Sequence, residues 1–452
     1  MNILTKTSES LLYRSITKFT FGIFLLFSAF ISNANAFEDI AIVNARIIDG
    51  NGGPVIENGM VLISEGKIKA IGTSVSIPTK AKIIDVEGKT VMPALADMHT
   101  HLAWGGEDFD LLGYQWKLNA YLYAGVTNVF DLGGVLPQLK QIQTGIKNGE
   151  IIGPNIHYVG PLIDSVDPAW PEVSRSMVSE AQAPGLVSYL KRNGASAVKA
   201  YAKLNRAQVL ALVREGKRVE LPVILDGWAL NGAFHNITTG ITAFAHTPRE
   251  VSANTLSLMQ RFKTQVITTR SVGGAVPHTV LRGEAFMENE FIKNTMPPWL
   301  FNKIQQDVQK AQADQEYVNN NFSRDFHKKL QTTIKEMHDA GIPLIAGTDD
   351  TTFYGDALHF ELELLVDAGL TPLQAITTAT MNAAALVQQS DIWGTLEKGK
   401  RADILVIDGK PEQNIKHTRN ITMLIKHGQI IDRSALLYNP KEHPNTSSIK
   451  VN

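Results

Sequence analysis

Apolar residues recur along this chain in two rhythms. Between Phe37 and Thr90 they come in short runs rich in Val and Ile: IAIVNARIIDG, VIENGMVLISEGKIKAIG and AKIIDVEGKTV. A Gly-Gly-Pro break at 52–54 and Asn-Gly and Glu-Gly pairs separate them. Runs of this length between turn signals predict the hairpins of a small β unit. The same grammar returns in GKRADILVIDG at 399–409 and ITMLIKHGQIID at 421–432. A chain that leaves a sheet and later rejoins it brings its ends together, so 37–92 and 396–440 are predicted to build one discontinuous β-sandwich domain.

The segment between them, 93–395, alternates apolar strand-like pieces with amphipathic stretches. The pieces are VMPALADMHTHL (91–102), VTNVFDLG (126–133), NIHYVG (155–160), SAVKAYA (196–202), PVILDG (222–227), ITAFAH (241–246), QVITTR (265–270) and PLIAGTDD (343–350). Helical spacing fills gaps such as FHKKLQTTIKEMHDAG at 326–341 and LHFELELLVDAG at 358–369. Eight strands alternating with helices in about 300 residues predict an α/β fold of the (β/α)8 barrel type, with an open doubly wound sheet as the alternative. The polar-rich span 287–326 reads as an insertion or lid-bearing segment.

Charge and composition narrow the setting. Lys6, Arg14 and Lys18 precede a thirteen-residue apolar run, Phe19–Ile31, and the small-residue site Ala34-Asn35-Ala36. This pattern predicts a signal peptide over 1–36 and an exported, periplasmic or secreted protein; the run is short for a membrane span, so no stable span is expected after cleavage. Residues 441–452 read as a polar tail. The full chain carries a formal net charge of -1, a balance that argues against a nucleic-acid partner and for a small molecule. With no cysteine in 452 residues, disulfides, thiolate ligands and a Cys nucleophile are excluded, and a metal site must use His, carboxylate or Lys.

In a (β/α)8 barrel the chemistry sits at the C-terminal ends of the strands. Those ends carry His99 and His101, Lys199, Asp226, His246 and Asp349. Residues at i and i+2 of a strand share a face, so His99 and His101 can reach one point. Nitrogen and oxygen donors suit one or two borderline divalent ions, most simply zinc. Tyr201, Arg270 and His278 are candidate substrate contacts, and Asp97 and Asp350 candidate supports of the ligands. The loop DSVDPAWPE at 164–172 is a candidate for shaping specificity.

VMPALADMHTHL, AGVTNVFDLGG, VKAYAK, ITAFAHT, AGIPLIAGTDD, ELELLVDAGLTPLQAITTATMNAA and GTLEKGKRADILVIDG together resemble the amidohydrolase superfamily. The similarity is to its imidazolonepropionase-like and prolidase-like members with a urease-type composite β domain. It runs from about Ile40 to Asp432. The resemblance implies that His99, His101 and Asp349 hold a buried metal and that His246 serves a second. It also implies that Lys199 is the strand lysine often carbamylated to bridge the two. Asp226 stands where the superfamily places a histidine. The implied activity is hydrolysis of a C–N bond in a small amide, cyclic amide or dipeptide by metal-activated hydroxide, with Asp349 as general base and then acid. Hydrolysis of esters, lactones or phosphotriesters at the same site, or a non-catalytic binding role, are the alternatives, and assembly into a homo-oligomer is left open.

Overall fold

A computed structural model describes residues 38–104, 111–227 and 233–441. The signal-peptide reading of 1–36 and all but the first residue of the 441–452 tail lie outside the described residues.

Both flanks of the chain meet in one eight-stranded sheet. Its order is Gln429–Ile431, Ile421–Lys426, Ile404–Ile407, Thr90–Pro93, Ile40–Ile47, Ile56–Ser64 and Lys67–Gly72, with Lys82–Asp85 paired to Ile40–Ile47 off this path. The join is antiparallel, Val91 lying opposite Val406. Strand Ile40–Ile47 serves two partners on one side: Ile40–Val43 pair with Lys82–Asp85, whereas Arg46 and Ile47 pair with Thr90 and Val91. Between these halves the register against Ile56–Ser64 slips and Asn44 takes φ 54°, a bulge that bends the strand and redirects its second half. Ile42, Ile47, Val61, Ile63, Val91, Ile404, Val406 and Ile425 then share one buried apolar cluster. Each such side chain contributes roughly 1.5–3 kcal/mol on leaving water, which is what holds the distant segments together.

The intervening strands are all parallel and form two sheets. One contains Leu95–Thr100, Val126–Asp131 and Asn155–Tyr158. The other runs Ser174–Ser176, Leu162–Asp164, Val198–Ala200, Val223–Leu225, Ala243–Phe244, Gln265–Ile267, Leu344–Ile345. Each of the eight strand pieces read from the sequence carries one of these strands. Leu162–Asp164 and Ser174–Ser176 were not anticipated, because three residues each are too short for a periodic signal. Every residue of Leu95–Thr100 and Val126–Asp131 is buried, the non-alternating pattern of parallel strands covered on both faces. Backbone hydrogen bonds cross between the sheets, from Met98 N to Ala346 O (3.1 Å), Asp349 N to His99 O (2.7 Å) and Ser196 N to Tyr158 O (2.8 Å).

Helices Arg324–Asp339 and Asp356–Asp367 stand where the apolar spacing places them. The span 287–326 contains three helices, Glu290–Thr295, Pro298–Ala313 and Gln315–Asn321. Leu300, Ile304 and Val308, four residues apart, line the buried side of the longest, so this segment is packed onto the body of the protein. No helix among the described residues is long and apolar enough to cross a membrane.

One close approach in the composite sheet is testable. Gly428 has φ +76°, donates its N–H to Ala402 O, and a Cβ there would lie 2.6 Å from the Cα of Gly66. Gly428→Ala is expected to lower stability by about 1–3 kcal/mol through strain and backbone collision. Urea denaturation should show a lower midpoint at unchanged slope, and an unmoved midpoint would mean that the two turns part freely.

Candidate functional site

The strand ends converge as the spacing of their polar residues requires. His99 and His101 leave Leu95–Thr100 with both Nε2 atoms turned to Asp349 Oδ1, at 3.6 and 3.0 Å. Their Nδ1 atoms lie 2.8 Å from Ala245 O and 2.9 Å from Gly133 O. A carbonyl only accepts, so each Nδ1 carries a proton and Nε2 is the atom each ring turns inward, where the neutral ring has a lone pair to offer a metal ion. His246 closes the ring from Ala243–Phe244, its Nε2 lying 3.5 Å from Asp226 Oδ2 and 3.9 Å from Asp349 Oδ2. Lys199 Nζ, almost fully buried, is 3.8 Å from the same Asp226 oxygen. All six sequence-predicted ligands therefore face one cluster.

Within it, Asp349 divides the space. Its Oδ1 serves His99 and His101 and its Oδ2 looks toward His246, with Asp226 and Lys199 beyond. His99, His101 and Asp349 offer ligand atoms within 4.8 Å of one another, a group able to hold a metal ion. Two imidazole nitrogens with set tautomers and one carboxylate fit a borderline divalent cation. Electrostatics agree with that use. Burial drives the His99 pKa well below its ordinary value, against the opposing charge of Asp349. Burial also opposes ionisation of Asp349, but the charges and hydrogen bond of the surrounding histidines outweigh it and hold the carboxyl well below the usual range. His101 is raised: burial opposes its charge, and the hydrogen bond and charge of Asp349 prevail.

Backbone geometry supports the cluster at two strained points. Asp349 has φ 52° and Thr269 φ 46°, the left-handed region that a β-branched residue rarely enters. Thr269 Oγ1 lies 2.9 Å from His246 Nδ1, so that strain places a partner behind the ligand. At Gly347 a Cβ would come within 2.8 Å of His99 N, so only glycine lets the two strands approach this closely.

Known proteins share parts of this chain. A family described as "Amidohydrolase family" matches residues 301–431. Imidazolonepropionase of Staphylococcus aureus (strain Newman) is 36% identical over 80 residues, 18% of this chain and 18% of that protein. The match thus spans about a fifth of that relative's length. In three dimensions the chain resembles a Xaa-Pro dipeptidase with methionine bound in its active site (TM-score 0.68, 19% identity, 87% of this chain and 100% of that one). It also resembles molinate hydrolase (TM-score 0.68, 21% identity, 89% and 96%). Residues 301–431 are thus similar to the amidohydrolase family, and the fold as a whole is similar to that of these hydrolases.

The remaining candidate residues divide differently from the sequence reading. Tyr201 stays beside the cluster: Lys199 Nζ is 5.8 Å from its ring, and burial together with the charge of Asp226 raises its pKa. Arg270 turns away, its Nη2 bonding Nδ1 and the carbonyl of His327 on helix Arg324–Asp339. His278 is withdrawn altogether. It is fully buried against Phe286, Phe353 and Phe360, donates from Nε2 to Ser271 O (3.0 Å) and accepts at Nδ1 from Arg282 (3.1 Å). Both ring nitrogens are thereby used, so the substrate-contact expectation for His278 is corrected to one of packing. A polar residue in a Gly-rich loop looks the same in sequence whether it faces solvent or an aromatic cage.

Four buried carboxylates stand behind the ligands. Asp97 accepts from Thr348 Oγ1, Thr348 N and His99 N, and burial raises its pKa to about 7. Asp350 accepts from the N–H groups of Thr352 and Phe353. Asp131 accepts from Leu102 N and Gly133 N, bracing the turn that carries His101 and the carbonyl it bonds. Glu361 accepts from Thr268 Oγ1 and Ser271 N, bracing the strand end that carries Thr269. Sequence reasoning named Asp97 and Asp350 and missed Asp131, Glu361 and Thr269. The available signals were a carboxylate ending VTNVFD and a glutamate amid the apolar stripe of LHFELELL.

The neutral state of His278 has a stability signature. Burial lowers its pKa from 6.5 to about 3, so its contribution is complete above pH 6.5 and is lost as pH falls toward 3, where the unfolded chain takes up a proton that the folded one refuses. Urea unfolding of the metal-free protein should weaken across this window. His278→Gln, which keeps a donor and an acceptor, should remove about 1.4 kcal/mol per pH unit of that slope. Identical pH slopes for the two proteins would place the neutral ring elsewhere.

Proposed function

We propose that this protein is a metal-dependent amidohydrolase that cleaves a C–N bond of a small amide, cyclic amide or dipeptide. The observation that carries this reading is the carboxylate of Asp349 set between His99 and His101 on one oxygen and His246 on the other. The hydrolase names of the similar proteins support the reaction class. The basic, apolar and small-residue pattern of residues 1–36 supports an exported setting. The architecture that goes with the reading is one (β/α)8 barrel made by the two parallel sheets. The Met98–Ala346 and Ser196–Tyr158 hydrogen bonds support its closure. The composite sheet forms the separate domain, from 37–92 and 396–440.

His99, His101 and Asp349 would hold one divalent ion, most simply zinc. His246, Asp226 and a carbamylated Lys199 would hold a second. Bound there, such ions supply polarisation of the scissile carbonyl and acidification of water toward neutral pH. The chain's own residues do the rest. Asp349, kept ionised by its imidazole neighbours, takes the proton of the attacking water on Oδ2 and returns it to the leaving nitrogen. Tyr201 keeps its phenolic proton and donates a hydrogen bond through it to the oxyanion. Ala245 O and Gly133 O keep His99 and His101 in the ligating tautomer.

The state of Lys199 follows from its surroundings. Burial lowers its pKa, against the opposing charges of Asp226 and Asp349, and so enlarges the share of free amine that adds to carbon dioxide. As an ammonium it has no lone pair and pairs with Asp226 instead. Reconstitution with zinc and bicarbonate is expected to give about two equivalents of metal, and without bicarbonate about one, given the high affinities of zinc sites. Lys199→Ala should hold about one under both conditions, measured by elemental analysis. Two equivalents in Lys199→Ala would remove the lysine from the site.

Asp349→Asn tests the proton transfer. Turnover of amide substrates should fall at least about a hundredfold, with the fold intact by circular dichroism. Rates matched to wild type at equal metal content would take Asp349 out of that role.

A further inference from the structure

Aromatic rings describe an arc that starts at one metal-ligating candidate and ends at another. Trp104 meets His101 edge-on at 4.3 Å between centroids, and Trp170 meets Trp104 in the same manner at 5.2 Å. Trp170 Nε1 donates to Tyr201 Oη at 3.0 Å, and the Tyr201 ring lies 5.8 Å from Lys199 Nζ. The arc therefore spans the cluster from the His101 side to the Lys199 side.

Its outer member is held in place although it is exposed. Trp170 is 41% accessible, and Val166 on the same loop is 69% accessible. That loop is pinned from below: buried Asp164 accepts from Ser165 N, Ala169 N and Lys203 N. An indole fixed at the edge of a polar cluster and partly exposed has apolar surface to bury against a ligand. Charge near the arc is already committed. Lys203 Nζ is bound to Asp167 O and Oδ2, Arg270 to His327, and His278 to Ser271 and Arg282. Arg270 and His278, two of the three sequence-predicted substrate contacts, are thus turned to other partners, as is Lys203, and among the described residues the side chains of the arc itself are aromatic.

We infer that Trp104, Trp170 and Tyr201 form a subsite for a flat apolar group, and that the substrates are amides carrying an aryl side chain next to the scissile C–N bond. This rests on the hydrolase reading above for the bond that is broken, and on the arc alone for the group that is recognised.

Two measurements separate the claims. The first compares kcat/KM of the metal-loaded enzyme for matched amide pairs in which phenylalanine replaces alanine beside the scissile bond. Wild type should favour the aryl member at least about tenfold, and Trp170→Ala should lower that ratio at least about tenfold, while Trp170→Phe, which keeps a ring but loses the N–H, should retain most of it. The second titrates N-acetylphenylalanine and N-acetylalanine into wild type and both variants by calorimetry, with circular dichroism to confirm folding. Selective loss of aryl binding in Trp170→Ala upholds the subsite whether or not any amide is turned over. Absence of turnover with every amide counts against the hydrolase reading alone. Equal binding of the two ligands by wild type, or equal losses in Trp170→Ala and Trp170→Phe, would overturn the aryl subsite.

Discussion

A carboxylate set among three imidazoles is the interaction around which this molecule is arranged. Asp349 would be costly to ionise in such a place alone, since burial opposes the charge. The nitrogens of His99, His101 and His246 make the charged form the stable one. Bringing those rings together needs strand ends from Leu95–Thr100, Ala243–Phe244 and Leu344–Ile345 to meet. The hydrogen bond from Asp349 N to His99 O and the strained φ of 52° at Asp349 are how the backbone meets that demand. The three histidines are held at strand ends, and their outer nitrogens by the carbonyls of Ala245 and Gly133 and the hydroxyl of Thr269, so the cluster is fixed before anything binds to it.

Behind the imidazoles lies a second tier of buried carboxylates whose work is mechanical. Asp97, Asp131, Asp350 and Glu361 accept N–H and O–H groups from the turns that follow the strands, the places where ladder hydrogen bonds run out. Burial raises the pKa of each, to about 7 for Asp97 and about 6 for Asp131 and Asp350. These groups trade solvation for hydrogen bonds that fix turn geometry. Strain at Thr269 and the missing Cβ at Gly347 belong to the same tier. The aromatic arc then lies outside it, on a loop that Asp164 ties down by the same device.

Much of this was legible in the order of residues. The hydrophobic pattern located all eight strand pieces, because parallel strands buried on both faces write continuous apolar runs. Polar residues at the ends of such runs have few reasons to be there. Reading His99, His101, Lys199, Asp226, His246 and Asp349 from strand ends therefore found the cluster. The composite sheet was legible for a related reason: two distant segments with the same strand and turn grammar each lack a partner. Arg270 and His278 misled because a strand-end or loop position says nothing about which way a long or planar side chain turns.

What the sequence by itself determined is the set of chemical groups and the strand ends that carry them, since continuous apolar runs and turn residues are local properties. Tertiary structure alone decided which oxygen of Asp349 faces which histidine, that Asp226 reaches both His246 and Lys199, and that Trp104, Trp170 and Tyr201 form one arc. It also decided that His278 is walled off by Phe286, Phe353 and Phe360. The reason is physical. Most of these contacts join residues tens to hundreds of positions apart, and their geometry depends on how the sheets twist and where backbone strain is accepted, which no local pattern encodes.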